Sequence, residues 1–187
     1  MRVLVLLLLS AYLVLGVSGG KKGASWKNTL YFDSDIYNTS VEIYNIRADE
    51  LIIKLIPLVG ADEQIRGVTA VKKSLFWWQI TYFYLYHMFV VFETDKWWWS
   101  IEKSSDGITL QRSKYPAAVY YLLRKEIRPL RHTMKTMKSD YGTSSVHGLI
   151  AWLYHNDEIN TRYHYIKYNC KHFATDVFNL LSKTKWL

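Results

Sequence analysis

The chain holds one cysteine, Cys170, in the stretch Tyr-Asn-Cys-Lys-His-Phe at 168–173. It precedes a segment in which Phe173, Val177, Phe178 and Leu181 fall on one side of a helix. The thiol is therefore expected at or just before the first helical turn. Unpaired N–H groups and the helix dipole at that end stabilise an anion, lowering a thiol's pKa from about 8.5 toward neutrality. The resulting thiolate is a nucleophile, and it needs a base that takes its proton and returns it to a leaving group. His172 is badly placed for that role, lying about 200° around the helix from Cys170. His87 is the better candidate, because it opens the strand-like run His-Met-Phe-Val-Val-Phe-Glu at 87–93.

A third group should orient the base, and Glu102 is the candidate. If Thr94 and Asp95 form a two-residue turn, Glu93 pairs with Lys96 and His87 stands opposite Glu102. A four-residue loop preserves that register, whereas a three-residue loop puts Lys103 opposite instead. Directly opposed side chains share a face about 5 Å apart, so the Glu102 carboxylate would accept the imidazole N–H. An oxyanion would be met by the Cys170 N–H and a second donor that the sequence does not identify.

The elements that must position these residues are those of an α+β chain. "TSVEIYNI" reads as a strand, and "ADELIIKLIPLVG" as a helix stopped by Pro57 and Gly60. From Ser74 to Ser113, β-branched and aromatic residues with regularly spaced turn residues predict an antiparallel meander. Pro116 opens a helix over "AAVYYLLRKEI". Arg124, Arg128, Arg131, Lys135 and Lys138 then recur every three or four positions, which predicts a basic amphipathic helix kinked at Pro129. "SSVHGLIAWLYHND" is a further helix capped by Ser144 or Ser145, "RYHYIKY" a strand, and the segment from Cys170 the closing helix. Residues 21–35 read as a polar lead-in.

The first 19 residues, one arginine and then an uncharged run ending in small residues, have the character of a secretory signal peptide. Residues 20–187 make one domain of a secreted or secretory-lumen protein. In that compartment an unpaired cysteine is an intermolecular disulfide, a buried inert residue or a reactive thiol. Asn38-Thr39-Ser40 is a glycosylation sequon. The net charge of +8 favours anionic partners. The basic stripe (Arg124, Arg128, Arg131, Lys135, Lys138) would suit an anionic membrane surface. No nucleic-acid motif accompanies the charge. His132, His147, His155 and His164 lack metal-ligand spacing, so neither a metal nor a cofactor is expected. Half the positions from Phe76 to Trp99 are aromatic. Alternation cannot bury adjacent pairs on one face, so some of the tryptophans should line an apolar groove or meet lipid.

At Asn169-Cys170-Lys171-His172-Phe173, preceded by "YHYIKY", the chain resembles the circularly permuted branch of the NlpC/P60 papain-like superfamily. The closest likeness is to the lecithin:retinol acyltransferase-like proteins. His87 in "YHMFVVFE" matches that family's histidine-led strand. Glu102 stands where the acyltransferase-like proteins commonly carry histidine. The likeness spans Tyr86 to Leu181. "GITLQ" is similar to an element of the PPPDE peptidases, a second choice that is intracellular by type. The resemblance implies a papain-like antiparallel sheet packed on helices, with the catalytic cysteine at the start of the last helix. It also implies an acyl-enzyme formed on Cys170 from an ester or amide, lipid esters being favoured by the aromatic and basic features. A catalytically idle module that binds lipid, glycan or protein, and a cysteine (iso)peptidase, are the alternatives.

Overall fold

The computed structural model describes residues 25–75 and 86–186. The signal-like segment 1–19 and the aromatic run 76–85 lie outside the described residues. A sheet of seven strands runs in the order β2-β1-β6-β5-β4-β3-β9. The strands are β1 (Leu30–Asp33), β2 (Ile43–Ile46), β3 (Ile65–Ser74), β4 (Tyr86–Thr94), β5 (Trp98–Ser104), β6 (Gly107–Ser113) and β9 (Lys135–Tyr141). Every adjacent pair is antiparallel except β1 with β6. The architecture is thus mixed α and β, with a mostly antiparallel sheet, and the expected meander is β4-β5-β6. It extends back into β3, which the sequence reading left unassigned. β1 likewise lies within a stretch taken as a polar lead-in.

Alternation divides the sheet's side chains between two faces. On one, Val68, Ala70, Met88, Val90, Phe92, Trp99, Ile101, Ile108 and Leu110 form the main core. It is closed by α1 (Ile56–Val59), α3 (Val146–His155) and α4 (Cys170–Leu181). As expected, α4 presents Phe173, Val177, Phe178 and Leu181 inward, all buried. Each such side chain contributes about 1.5–3 kcal/mol by leaving water, which is why a helix this short holds its place on the sheet. Ser145 caps α3 by accepting from the Gly148 N–H. On the other face Val71, Phe89 and Val91 pack against Ala118 and Val119 of α2 (Pro116–Tyr121).

The structure corrects four expectations. The segment 48–59 is helical but irregular: a 3-10 turn Ala48–Glu50, a π turn Leu51–Leu55, then α1. Pro57 stands at the start of α1, where a missing N–H costs little, and only Gly60, at φ 88°, ends it. The basic amphipathic helix over 124–138 does not form. Arg124 and Lys125 take φ of 49° and 70° in a two-residue turn between β7 (Leu122–Leu123) and β8 (Glu126–Ile127). Leu130, after Pro129, also has positive φ, and the chain continues through a 3-10 turn, Arg131–Thr133, into β9. β9 is an edge strand, and its exposed lysines suit an edge that must not pair further. "RYHYIKY" is a tight turn closed by a bridge between His164 and Tyr168, its strand-like composition reflecting aromatic content alone. The helix opened by Pro116 ends at Tyr121 instead of running through Ile127. Of the tryptophans, Trp77 and Trp78 lie outside the described residues. Trp99 is core, Trp98 packs on the second cluster, and Trp97 lies under Arg112 and Lys114.

Candidate active site

Asn169 is the N-cap of α4, its side-chain oxygen accepting from the Lys171 and His172 N–H groups. Cys170 is the first helical residue, 5% exposed and free of any disulfide. Pairing between β4 and β5 runs from Glu93↔Trp98 to Val90↔Ile101 and goes no further. Even-numbered residues of β4 aim their backbone groups toward β5, as the Thr94 N–H does to the Trp97 carbonyl. Where β5 departs, the thiol takes its place. Cys170 Sγ donates to the Tyr86 carbonyl at 3.9 Å and accepts from the Met88 N–H. The His87 ring and the Tyr163 hydroxyl lie close enough to the sulfur to bear on its ionisation.

His87 Nε2 lies 2.6 Å from Glu102 Oε2, both residues buried. That leaves Nδ1 for the thiol. The pair is diagonal rather than directly opposed. The hairpin loop is Asp95-Lys96, flanked by Thr94 and Trp97, so one further step of the register sets Glu102 across from Phe89. The expected turn was out by one residue, which moves the register by two and so preserves the face. A diagonal pair is within reach of long side chains. The other Glu102 oxygen, Oε1, is 2.5 Å from Arg128 Nη1. Arg128 is 1% exposed, lies 4.3 Å above the Phe89 ring, and is held by its N–H to the Tyr121 carbonyl. Lys73, the register partner of His87 on β3, is buried beside this group.

Burial pushes the Glu102 carboxyl up, but the Arg128 charge and then the His87 contact outweigh it, holding the pKa at about 2. Burial lowers His87, yet its hydrogen bonds to Cys170 and Glu102 and their charges carry it up to about 9. For Cys170 burial raises the pKa, and the His87 hydrogen bond and charge, then the Met88 N–H, bring it below the ordinary thiol value. Burial lowers Lys73 against the pull of Glu102. These directions favour passage of the thiol proton toward the imidazole, with an ionised glutamate behind the ring.

The structure therefore brings Cys170, His87 and Glu102 together and keeps His172 away. His172 is exposed and its Nδ1 contacts Asn169 at 2.9 Å. It separates the five basic residues read as one surface stripe. Arg128 is buried on Glu102, which removes it from any surface, because no helix forms to align it with the others. Arg124 pairs with Asp106 at 2.7 Å and covers Tyr31. Arg131 and Lys135 are exposed, and Lys138 donates to the Lys185 carbonyl. Asn38 is exposed in a turn and accepts from the Ser40 N–H and hydroxyl. Tyr163 and Lys73 were not anticipated. The register of β3 against β4 would have found Lys73, but no local pattern marks Tyr163. Among the described residues no cluster of histidine, cysteine or carboxylate side chains is arranged to hold a metal.

Compared with known proteins, the chain matches no family model, no curated protein and no solved structure.

Proposed function

We propose that this protein is a papain-like thiol hydrolase or acyltransferase, acting through Cys170 on an ester or amide carbonyl, with a lipid ester as the favoured substrate. One observation carries the reading. The thiol opens a helix packed on the sheet, His87 lies close enough to lower its pKa, and His87 Nε2 is held by a buried glutamate. The order histidine, third polar residue, cysteine agrees with the permuted NlpC/P60 arrangement that the sequence resembles.

In this scheme the His87 imidazolium and the Cys170 thiolate form the resting pair. Sγ attacks the carbonyl carbon, and the carbonyl π electrons move to oxygen. Asn169 engages the Lys171 and His172 N–H groups, and the Cys170 N–H, which bears on the Tyr163 hydroxyl, would exchange that contact for the oxyanion. As the intermediate collapses, His87 gives its Nδ1 proton to the leaving alcohol or amine, leaving a thioester on Cys170. Water or an acceptor alcohol or amine then adds to the thioester while His87 takes its proton. Cys170 departs as thiolate, restoring the pair. Glu102 orients the ring and offsets the imidazolium charge.

The first 19 residues support placing the enzyme in the secretory pathway. Among the described residues no helix is long and apolar enough to cross a membrane.

Alkylation of the native protein tests the reading. Cys170 is expected to react with iodoacetamide at neutral pH far faster than an ordinary thiol, and His87→Ala should abolish the excess while leaving the circular dichroism spectrum intact. A thiol that reacts only in denaturant would sink the proposal.

A further inference from the structure

We infer that the loop at residues 163–168 is an interfacial docking element that sets the mouth of the Cys170 site on a bilayer containing anionic lipid. The inference deepens the proposed function and rests on it only for the purpose of docking, which is delivery of a membrane-resident acyl substrate.

The loop is braced from within. His164 and Tyr168 exchange both backbone hydrogen bonds. The His164 ring Nδ1 accepts from the Ile166 and Lys167 N–H groups. Asn169 Nδ2 donates to the Tyr165 carbonyl at 2.7 Å, tying the tip to the cap of α4. Tyr163 reaches inward to the thiol, and Tyr165 meets its ring edge-on at 5.3 Å. The same bracing leaves Tyr165 57%, Ile166 77% and Tyr168 58% exposed. Single exposed apolar side chains are ordinary on a protein surface. Three within four positions, on a tip held together by side-chain and backbone bonds two residues before a nucleophile, form a display.

The charge around the tip selects the occupant. From Thr161 to Thr175 there is no acidic residue, while Arg162, Lys167 and Lys171 are basic. Lys171 Nζ sits 4.1 Å over the Tyr86 ring, so one of these charges lies at the strand that carries His87. Tyrosine favours the headgroup level, and lysine or arginine near an anionic leaflet adds attraction. A stable protein partner would need about 1,200 Å² or more of joint buried surface, which three side chains on a loop tip do not supply. A shallow apolar wedge with a basic skirt suits a bilayer instead. This surface is distinct from the Arg124–Lys138 stripe, which the fold disperses.

Co-sedimentation of the full chain with vesicles tests the inference, comparing phosphatidylcholine alone with phosphatidylcholine containing phosphatidylserine. Binding is expected on the mixed vesicles, to be weaker on the neutral ones, and to fall as salt is raised. Ile166→Glu should weaken binding about tenfold or more, and Lys167→Ala about fivefold. Iodoacetamide should alkylate Cys170 at the wild-type rate in both variants, which also reports that they fold. Failure of the wild-type chain to bind the mixed vesicles, or binding that Ile166→Glu leaves unchanged, overturns the docking. Equal binding to neutral and anionic vesicles overturns the role of charge. If vesicles bind as described but Cys170 proves inert, the docking stands and the acyl-transfer reading falls.

Discussion

A glutamate can orient a histidine only while it is ionised, and burial raises the pKa of Glu102. Arg128 supplies the opposing charge, so a fully buried cation is tied to the reacting pair through one carboxylate. Removing one partner of a buried ion pair strands the other, at about 3–5 kcal/mol. Arg128→Met is therefore predicted to lower unfolding free energy by about that much in urea titrations, and to slow Cys170 alkylation in the folded fraction. The pH profile gives the second prediction. His87 has a folded value of about 9 against an ordinary 6.5. Its cationic form thus contributes full stabilisation below 6.5 and loses it as pH rises through 9. Thioester formation needs that proton for the leaving group, so turnover should decline through about pH 9. The acidic limb should lie below the ordinary thiol range. In Arg128→Met the carboxylate loses its largest support, and losing the His87 proton would leave a bare buried anion, so the alkaline limb should move to higher pH. An alkaline limb that stays in place would separate Arg128 from the chemistry.

At the scale of the element, the start of α4 is a device made of one cap and one strand end. Asn169 satisfies two helix N–H groups without adding charge beside the thiol. Asn169→Ala is expected to cost about 1 kcal/mol, read as a lower thermal midpoint. Asn169→Asp should keep the cap and the midpoint but set a second anion next to the thiolate, raising the thiol pKa and slowing alkylation at neutral pH. Equal alkylation rates in Asp and Asn forms would show that the thiol does not ionise at rest. The other half of the device is β5 leaving β4 after Val90↔Ile101, which opens the Tyr86 carbonyl and Met88 N–H to sulfur. Asn169 was not singled out as a cap in the sequence, although asparagine just before an apolar-periodic run favours that role. The departure of β5 was not legible, because strand divergence depends on what fills the gap.

For the whole molecule, β3, β9 and the end of α4 converge at Gly142. Its N–H donates to the Arg66 carbonyl, and it bridges to Ser182 just beyond the helix. A Cβ added there would run into the Ile65 backbone carbonyl, which cannot move aside as a flexible side chain could. Gly142→Ala is predicted to destabilise the fold by about 1–3 kcal/mol in calorimetry, with alkylation at low temperature retained because Cys170 is at the opposite end of α4. Loss of the fast thiol in a still-folded Gly142→Ala would mean that the helix shifts along its axis.

What the sequence by itself determined is what short-range physics dictates. The helix start at or just before Cys170, the buried face of Phe173, Val177, Phe178 and Leu181, a serine cap at Ser144 or Ser145 and the strands of the meander follow from caps, periodicity and turn residues. The pairing of His87 with Glu102 was legible for a related reason. A two-residue turn misplaced by one position shifts the register by two and so keeps the face. Only the tertiary structure decided that Arg128 is buried behind Glu102. The three-four spacing of its basic neighbours reads equally as a solvated helix, and the contact joins residues brought together by a hairpin on another part of the chain. β1 and β3 were invisible for the same reason. Their polar positions are buried by neighbours on both sides, and burial of that kind is a property of the assembled sheet rather than of any one strand's pattern.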